Sequence, residues 1–165
     1  MTQRSKYSIR RQPALPHRFN YDSYPDSYSS ASRDKIFLIQ QFFTPGSDVR
    51  LSDLQYCLHK NLSSNLFFQI ILLVERVYPP SELGVAGSDY QKIKQINIGH
   101  PLRFSDIFRH TKELKLKGYI CFSNADIFFD QSLQNIFKSS LESTKMMFCQ
   151  LRLNYADGKS EPFCW

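Results

Sequence analysis

Short apolar runs alternate with amphipathic segments along most of this chain, and this alternation limits the folds it can adopt. Residues 35–43 (KIFLIQQFF) and 66–77 (LFFQIILLVERV) are nearly continuous apolar runs, typical of strands covered on both faces. Between them, residues 51–62 place leucines at spacings of three, four and four, the period of an amphipathic helix. Strands that alternate with such helices form parallel sheets, so the pattern predicts an α/β fold.

The same alternation continues further along the chain. Strands are predicted at 94–98, 118–122 and 145–153, and helices at 104–116 and 130–141. The predicted order is β-α-β-β-α-β-α-β, a mainly parallel sheet of about five strands with helices on both faces. Because such sheets bind ligands where their strands end, near a topological switch point, functional residues are expected just after residues 43, 75, 98 and 122.

Residues 1–34 differ in composition from the rest of the chain. They combine prolines, serines and tyrosines without aliphatic periodicity, which predicts a disordered extension before a domain at 35–165. The formal net charge is +6, and the first twenty positions hold five basic residues and no acidic one: Arg4, Lys6, Arg10, Arg11 and Arg18. Such a segment attracts nucleic acid or anionic lipid, although a short solvated tail without a partner has the same composition.

Several classes of protein are excluded by what the sequence lacks. No apolar run reaches the roughly 18–20 residues of a membrane helix. The first twenty residues also lack the apolar core of a signal peptide, so a cytoplasmic protein is expected. The cysteines form no C-x-x-C pair and the histidines no paired motif, which argues against a zinc site. All four cysteines are expected to be reduced structural thiols: Cys57, Cys121, Cys149 and Cys164.

A polar cluster follows the fourth predicted strand, where a parallel sheet presents its ligand site. Asn124 and Asp126, two apart on an extended chain, point to the same side and could together face a divalent cation or a ribose. A carboxylate after a buried strand needs a partner, which favours a functional role for Asp126. Asp130 is better explained as the cap of the next helix.

The segment 118–130 (GYICFSNADIFFD) resembles the fourth strand and DxD-type motif of GT-A-fold glycosyltransferases. It is similar in particular to a group of bacterial and giant-virus glycosyltransferase-like proteins whose strand ends in N-[AS]-D-I-x-F-D. Residues 35–43 and 92–108 (KIKQINIGHPLRFSDIF) match the same group, so the resemblance covers about residues 35–155. It implies a GT-A, Rossmann-like core that binds a nucleotide-diphosphate sugar.

The resemblance also implies a divalent metal, Mn2+ or Mg2+, that bridges the diphosphate to the protein. Asp126 takes the role of the carboxylate on the metal side, and Asn124 stands where a DxD motif has its first aspartate. Asparagine is neutral and a weaker metal ligand than aspartate, so this position departs from the family's motif. Glu75, at the end of the second strand, takes the place of an acid that contacts the nucleotide base or ribose.

Residues after the third strand resemble those of inverting family 2 glycosyltransferases. The resemblance rests on Asn97, Gly99 and Arg103, and it implies that Arg103 pairs with the diphosphate. Simpler explanations remain open for these positions. Glu75 and Arg76 could form an exposed charge pair, Gly99 could only permit a turn, and Arg103 could be a solvated residue at a helix start.

Two functions are compatible with these observations. The first is a glycosyltransferase-like protein that transfers a sugar, with help from a metal, from a nucleotide-diphosphate donor to an unknown acceptor. The chain stops early for such an enzyme, because the resembled proteins continue into an acceptor-binding half, and no catalytic base can be assigned. The alternative is a non-catalytic, degenerate nucleotide-sugar fold that acts through its basic N-terminal tail, as an interaction or nucleic-acid-binding protein.

Overall fold

Four parallel strands form the centre of the protein. The computed structural model describes residues 35–144, 146–150, 153–156 and 159–162. The sheet has the order β3-β2-β1-β4, and its strands are β1 (Ile36–Phe42), β2 (Phe67–Val74), β3 (Ile93–Asn97) and β4 (Tyr119–Ser123). The expected α/β class and its parallel sheet are therefore confirmed.

Helices connect the strands and lie on both faces of the sheet. The α-helices are α1 (Asp48–Ser63), α2 (Pro80–Leu83), α3 (Phe104–Glu113) and α4 (Leu141–Thr144), and two 3₁₀ helices span Gly87–Lys92 and Gln131–Lys138. No helix in the described part of the chain is long and apolar enough to cross a lipid bilayer. The cytoplasmic location stays a prediction.

Side chains of β1 alternate between two separate cores, because successive residues of a strand point to opposite faces. Ile36 and Leu38 are buried in the larger core, against the leucines of α1, whereas Phe37 and Ile39 are buried in the smaller one, against Ile107 of α3. Burial on both faces explains why the sequence of β1 is almost continuously apolar.

The predicted fifth strand of the sheet, at residues 145–153, is not confirmed. Residues 146–150 have no regular secondary structure and are exposed, and residues 145, 151 and 152 lie outside the described residues. Leu153–Ala156 forms a strand, β5, but it pairs antiparallel with β6 (Lys159–Pro162) in a separate hairpin. The apolar composition of this segment was misleading, because the side chains of Met146, Met147 and Phe148 are more than half exposed.

The predicted helix at 130–141 takes a different form. Most of it is the 3₁₀ helix Gln131–Lys138, in which residues three apart are stacked. Leu133 and Ile136 have this spacing and both contact the larger core. Asp130 caps the helix as expected, since its carboxylate accepts a hydrogen bond from the backbone N–H of Ser132. A hydrogen bond from the Ser132 hydroxyl, together with this backbone bond, lowers the pKa of Asp130.

Residues 1–34, the expected disordered tail, lie outside the described residues. The predicted reduced state of the cysteines holds for the three that are described, which are free: Cys57, Cys121 and Cys149. Burial raises the pKa of both Cys57 and Cys121 to about 11, so these two side chains are neutral thiols at physiological pH.

Candidate functional site

The carboxyl edge of the sheet contains a topological switch point. The chain passes from β1 to β2 to β3 in one direction and then crosses over to place β4 on the other side of β1. Gln40 is in register with Ser123, so the segments that follow β1 and β4 leave the sheet side by side. Parallel sheets bind ligands in the crevice at such a point. Residues 124–129, named here the switch-point loop, carry Asn124 and Asp126.

Two buried amide side chains hold the backbone of this loop. The side-chain amide of Gln40, in β1, donates hydrogen bonds to the carbonyl oxygens of Asn124 (2.9 Å) and Ile127 (3.0 Å). Asn61, in α1, donates to the same Ile127 carbonyl (3.0 Å) and accepts from the backbone N–H of Phe129 (3.1 Å). The two amides also bond to each other, at 3.2 Å. The loop is therefore fixed on both sides of Asp126.

Contacts between aromatic side chains also hold this loop in place. The ring of Phe129 packs edge-on against Phe67 of β2, with 5.6 Å between centroids. The ring of Phe128 contacts Tyr56 of α1 at 6.1 Å and Tyr155 of the β5–β6 hairpin at 5.1 Å. The apolar residues between Asp126 and Asp130 thus anchor the loop, and they leave the Asp126 side chain partly exposed.

Asp126 has an ionic partner that the sequence did not indicate. Its Oδ2 atom lies 3.0 Å from Nη2 of Arg50, in the first turn of α1, and the two side chains are 24% and 45% exposed. The pair satisfies the partner requirement of a carboxylate after a buried strand. Partly exposed ion pairs contribute only about 0–1 kcal/mol, so a ligand could replace this contact at little cost.

An open cleft lies beside the ends of the neighbouring strands. It encloses about 450 Å³ and is lined by Phe43, Thr44, Glu75, Arg76, Tyr78 and Gly99. Glu75 is exposed, and its Oε1 atom lies 3.4 Å from the side-chain amide of Gln41. An exposed carboxylate at the rim of a cleft can accept hydrogen bonds from hydroxyl groups of a ligand.

Arg76 is tied to the wall of this cleft. Its guanidinium bonds to both carboxylate oxygens of Glu82, which lowers the pKa of Glu82, and it lies over the ring of Tyr78 with 4.1 Å to the centroid. The carboxylate that pairs with Arg76 is therefore Glu82 rather than the neighbouring Glu75.

The residues after β3 form a tight turn and a helix start. The backbone N–H of Gly99, which has a positive φ of 71°, donates to Oδ1 of Asn97 at 3.0 Å. Glycine adopts this conformation without strain, so the turn explains Gly99 fully. The side chain of Arg103 is exposed at the N-terminus of α3, and its backbone N–H donates to the buried carboxylate of Asp106.

The structure divides the predicted site residues into two groups along one edge. Glu75 and Gly99 line the cleft, and Asn124 and Asp126 lie on the switch-point loop. Within the described ranges, no hydrogen bond or ion pair joins the two groups. Comparisons with protein-family models, curated proteins and solved structures found no match for this chain. What this edge binds has to be inferred from its own side chains.

A resident metal is poorly supported by the side chains present. The described residues contain no group of three or more His, Cys, Asp or Glu side chains that could hold a metal ion. Asp126 offers one carboxylate, and Arg50 already contacts it. Mg2+ is commonly bound by one or two carboxylates together with phosphate oxygens and water. A metal at Asp126 would therefore need most of its oxygen ligands from phosphate groups and water.

Three residues that shape the loop were missed or misread in the sequence. Gln40 interrupts an otherwise apolar run, and it is 2% exposed and faces the loop backbone. Asn61, in the leucine-rich helix, is fully buried. The sequence did contain an indication of this role, because Asn61 is a polar residue beside Leu62 on the apolar face of the predicted helix. Arg50 was missed because α1 begins at Asp48, three residues before the predicted start of the helix at residue 51.

Proposed function

We propose that the carboxyl edge of the sheet binds a nucleotide-diphosphate sugar and that the protein is a glycosyltransferase-like sugar-nucleotide-binding domain. One observation carries the proposal: the Asn-Ala-Asp loop leaves the sheet at its topological switch point, between β1 and β4. The resemblance of residues 118–130 to a DxD-type motif supports the same class of ligand.

The two groups of residues suit different parts of such a ligand. The cleft beside Glu75 suits the nucleoside, since the partly buried ring of Phe43 can contact a base and the carboxylate can accept hydrogen bonds from ribose hydroxyls. The diphosphate would then extend toward Asp126, with Asn97 at the end of β3. Arg103 stands at the start of α3, next to Phe104, whose ring contacts Phe122 of β4 at 5.7 Å. Arg103 is exposed, and its planar guanidinium can bind a phosphate through two parallel hydrogen bonds.

Transfer of the sugar requires stabilisation of the negative charge that develops on the leaving diphosphate. A Mn2+ or Mg2+ ion bound with the ligand supplies Lewis-acid stabilisation of that charge. Asp126 would hold the ion, and Arg103 would add a fixed positive charge. We assign no catalytic base among the described residues.

Isothermal titration calorimetry with UDP and with UDP-, GDP- and CDP-sugars tests this proposal. We expect binding of at least one sugar nucleotide with Mn2+, and about tenfold weaker binding by Asp126→Ala, the loss of roughly one charge-assisted contact. Asp89→Ala is the matched control, because Asp89 lies before β3, at the opposite edge of the sheet. Failure to bind any sugar nucleotide, with Mn2+ or with EDTA, would contradict the proposal.

The alternative, a non-catalytic module that acts through its basic tail, rests on the charge of the first twenty residues. Those residues lie outside the described part of the chain, so this function stays a prediction. The titration above also bears on it, since a folded protein that binds no sugar nucleotide would leave the tail as the main candidate for function.

A further inference from the structure

Two buried polar side chains sit in a core that is otherwise apolar. Gln40 is 2% exposed and Asn61 is 0% exposed. On the same face of β1, the neighbours of Gln40 are Leu38 and Phe42, and the neighbours of Asn61 in α1 include leucines. A buried amide destabilises a protein by about 1–3 kcal/mol unless its hydrogen bonds are made. A leucine or methionine at either position would avoid that requirement.

The hydrogen bonds of these amides converge on one segment. Besides the bonds to the carbonyls of Asn124 and Ile127, Gln40 donates to the hydroxyl of Ser123 at 2.9 Å. Asn61 reaches Ile127 and Phe129. All of these partners belong to the switch-point loop or to the last residue of β4. No buried side-chain polar atom of the described residues lacks a partner, so the network is complete.

The backbone of the loop needs these partners because it turns away from the sheet. Past Ser123 neither the carbonyl of Asn124 nor that of Ile127 is paired to a neighbouring strand. The Asn124 carbonyl accepts one bond inside the loop, from the backbone N–H of Ile127 at 3.3 Å, and carbonyls that leave a sheet require such donors. The two amides supply the remaining donors from β1 and α1. Asp126 lies between the bonded residues, and its own side chain is left for Arg50 and for solvent.

We propose that Gln40 and Asn61 are positioning residues that hold the switch-point loop in the conformation in which Asn124 and Asp126 face the ligand. This inference rests on the proposed function, because the ligand is the proposed sugar nucleotide. The amides do not contact the ligand. They act through the loop backbone, and their effect is to remove the free energy of ordering the loop from the binding step.

Asn61→Asp is the sharpest variant, because it has almost the same shape but replaces the N–H donors with an acceptor. At pH 8 the carboxylate faces two acceptors, the side-chain oxygen of Gln40 and the carbonyl of Ile127, so both of these hydrogen bonds are lost. Burial raises the pKa of a carboxyl group. At lower pH the group is therefore protonated and regains one O–H donor. A loop held by this residue should be restored as the pH falls.

The experiment measures the affinity for UDP in the presence of Mn2+ for the full chain at pH 8 and pH 5.5. We expect Asn61→Asp to bind about tenfold more weakly than wild type at pH 8, the loss of roughly one hydrogen bond to a charged or buried group, and to recover most of that loss at pH 5.5. Asn65→Asp is the matched control, because Asn65 is exposed and contacts Gln131 rather than the loop. It should follow the wild-type pH dependence.

Circular dichroism establishes that each variant is folded at the pH of the titration. If Asn61→Asp unfolds at pH 8, the series starts at pH 5.5 and continues upward as far as the native spectrum persists. Asn61→Ser is the second variant, since it keeps one donor and one acceptor on a side chain too short to reach both Ile127 and Phe129.

Two negative outcomes are distinct. Folded Asn61→Asp and Asn61→Ser proteins that bind UDP with wild-type affinity at every pH would overturn the positioning role, while the proposed function would stand. A wild-type protein that binds neither UDP nor any sugar nucleotide would overturn the proposed function, and with it this inference.

Discussion

The ion pair between Asp126 and Arg50 determines the charge that the switch-point loop presents. With Arg50 in contact, the carboxylate is neutralised by a protein cation rather than by a metal. A metal that arrives with a diphosphate has to break this contact. Because both side chains are partly exposed, water can solvate the released guanidinium, and the exchange is feasible.

Arg50→Ala tests this competition. The variant removes the competing cation, so at saturating UDP we expect Mn2+ to bind about two- to fivefold more tightly, the equivalent of a partly exposed ion pair. The measurement is a Mn2+ titration by calorimetry. Arg109→Ala, which removes a different arginine–aspartate pair on α3, should leave the metal affinity unchanged. Unchanged or weaker Mn2+ binding by Arg50→Ala would show that Arg50 does not compete with a metal at Asp126.

At the scale of elements, β4 is the strand whose placement creates the switch point. It begins after Gly118, which has a positive φ of 139°. A Cβ atom on Gly118 would lie 2.4 Å from the carbonyl oxygen of Lys35, and the same oxygen accepts the N–H of Tyr119 at 2.8 Å. The close approach of these two backbones allows β4 to pair with β1 from its first residue.

Gly118→Ala should therefore destabilise the protein. Both the strained backbone and the contact with Lys35 oppose a side chain there, and we expect the free energy of unfolding to fall by about 1–3 kcal/mol. Urea denaturation measures the change. Gly46→Ala is the control, because a Cβ atom on Gly46 meets nothing within 4 Å, and its effect should stay within about 0.5 kcal/mol. Equal stability of the two variants would contradict this explanation of how β4 begins.

The sequence predicted correctly those strands whose burial on both faces gives an almost continuous run of apolar residues. β1 and β2 are covered on both faces, and their apolar runs identified them. Residues 145–153 have a similar apolar content, but pairing with a sheet depends on an edge that local sequence does not specify. The 3₁₀ geometry of Gln131–Lys138 was missed because spacings of three and four overlap in so short a segment.

For the whole molecule, the strand order explains why the candidate site could be predicted only in part. The sequence predicted that polar residues after β2, β3 and β4 would gather at one edge, because parallel strands share their carboxyl end. It did not predict which strands are neighbours, so the separation of Glu75 from Asp126 and the contact of Asp126 with Arg50 were not foreseen. Long-range contacts such as Asn61 with Phe129 likewise depend on how the helices pack.

A second cavity lies at the amino-terminal ends of the strands, and it provides an internal comparison. It encloses about 300 Å³ and is lined by Lys35, Phe37 and residues 114–117. This cavity lies where β1 begins, away from the switch point. If a sugar nucleotide binds at the carboxyl edge, it should bind far from this second cavity.

Amide chemical-shift mapping with a UDP-sugar and Mg2+, which avoids the paramagnetic broadening of Mn2+, tests the central claim most directly. We expect the largest shifts after the ends of the strands, in residues 43–50, 75–78, 97–103 and 123–130, and small shifts in residues 114–117. Shifts concentrated at residues 35–37 and 114–117, or an unchanged spectrum at millimolar UDP-sugar, would contradict a sugar-nucleotide site at the carboxyl edge.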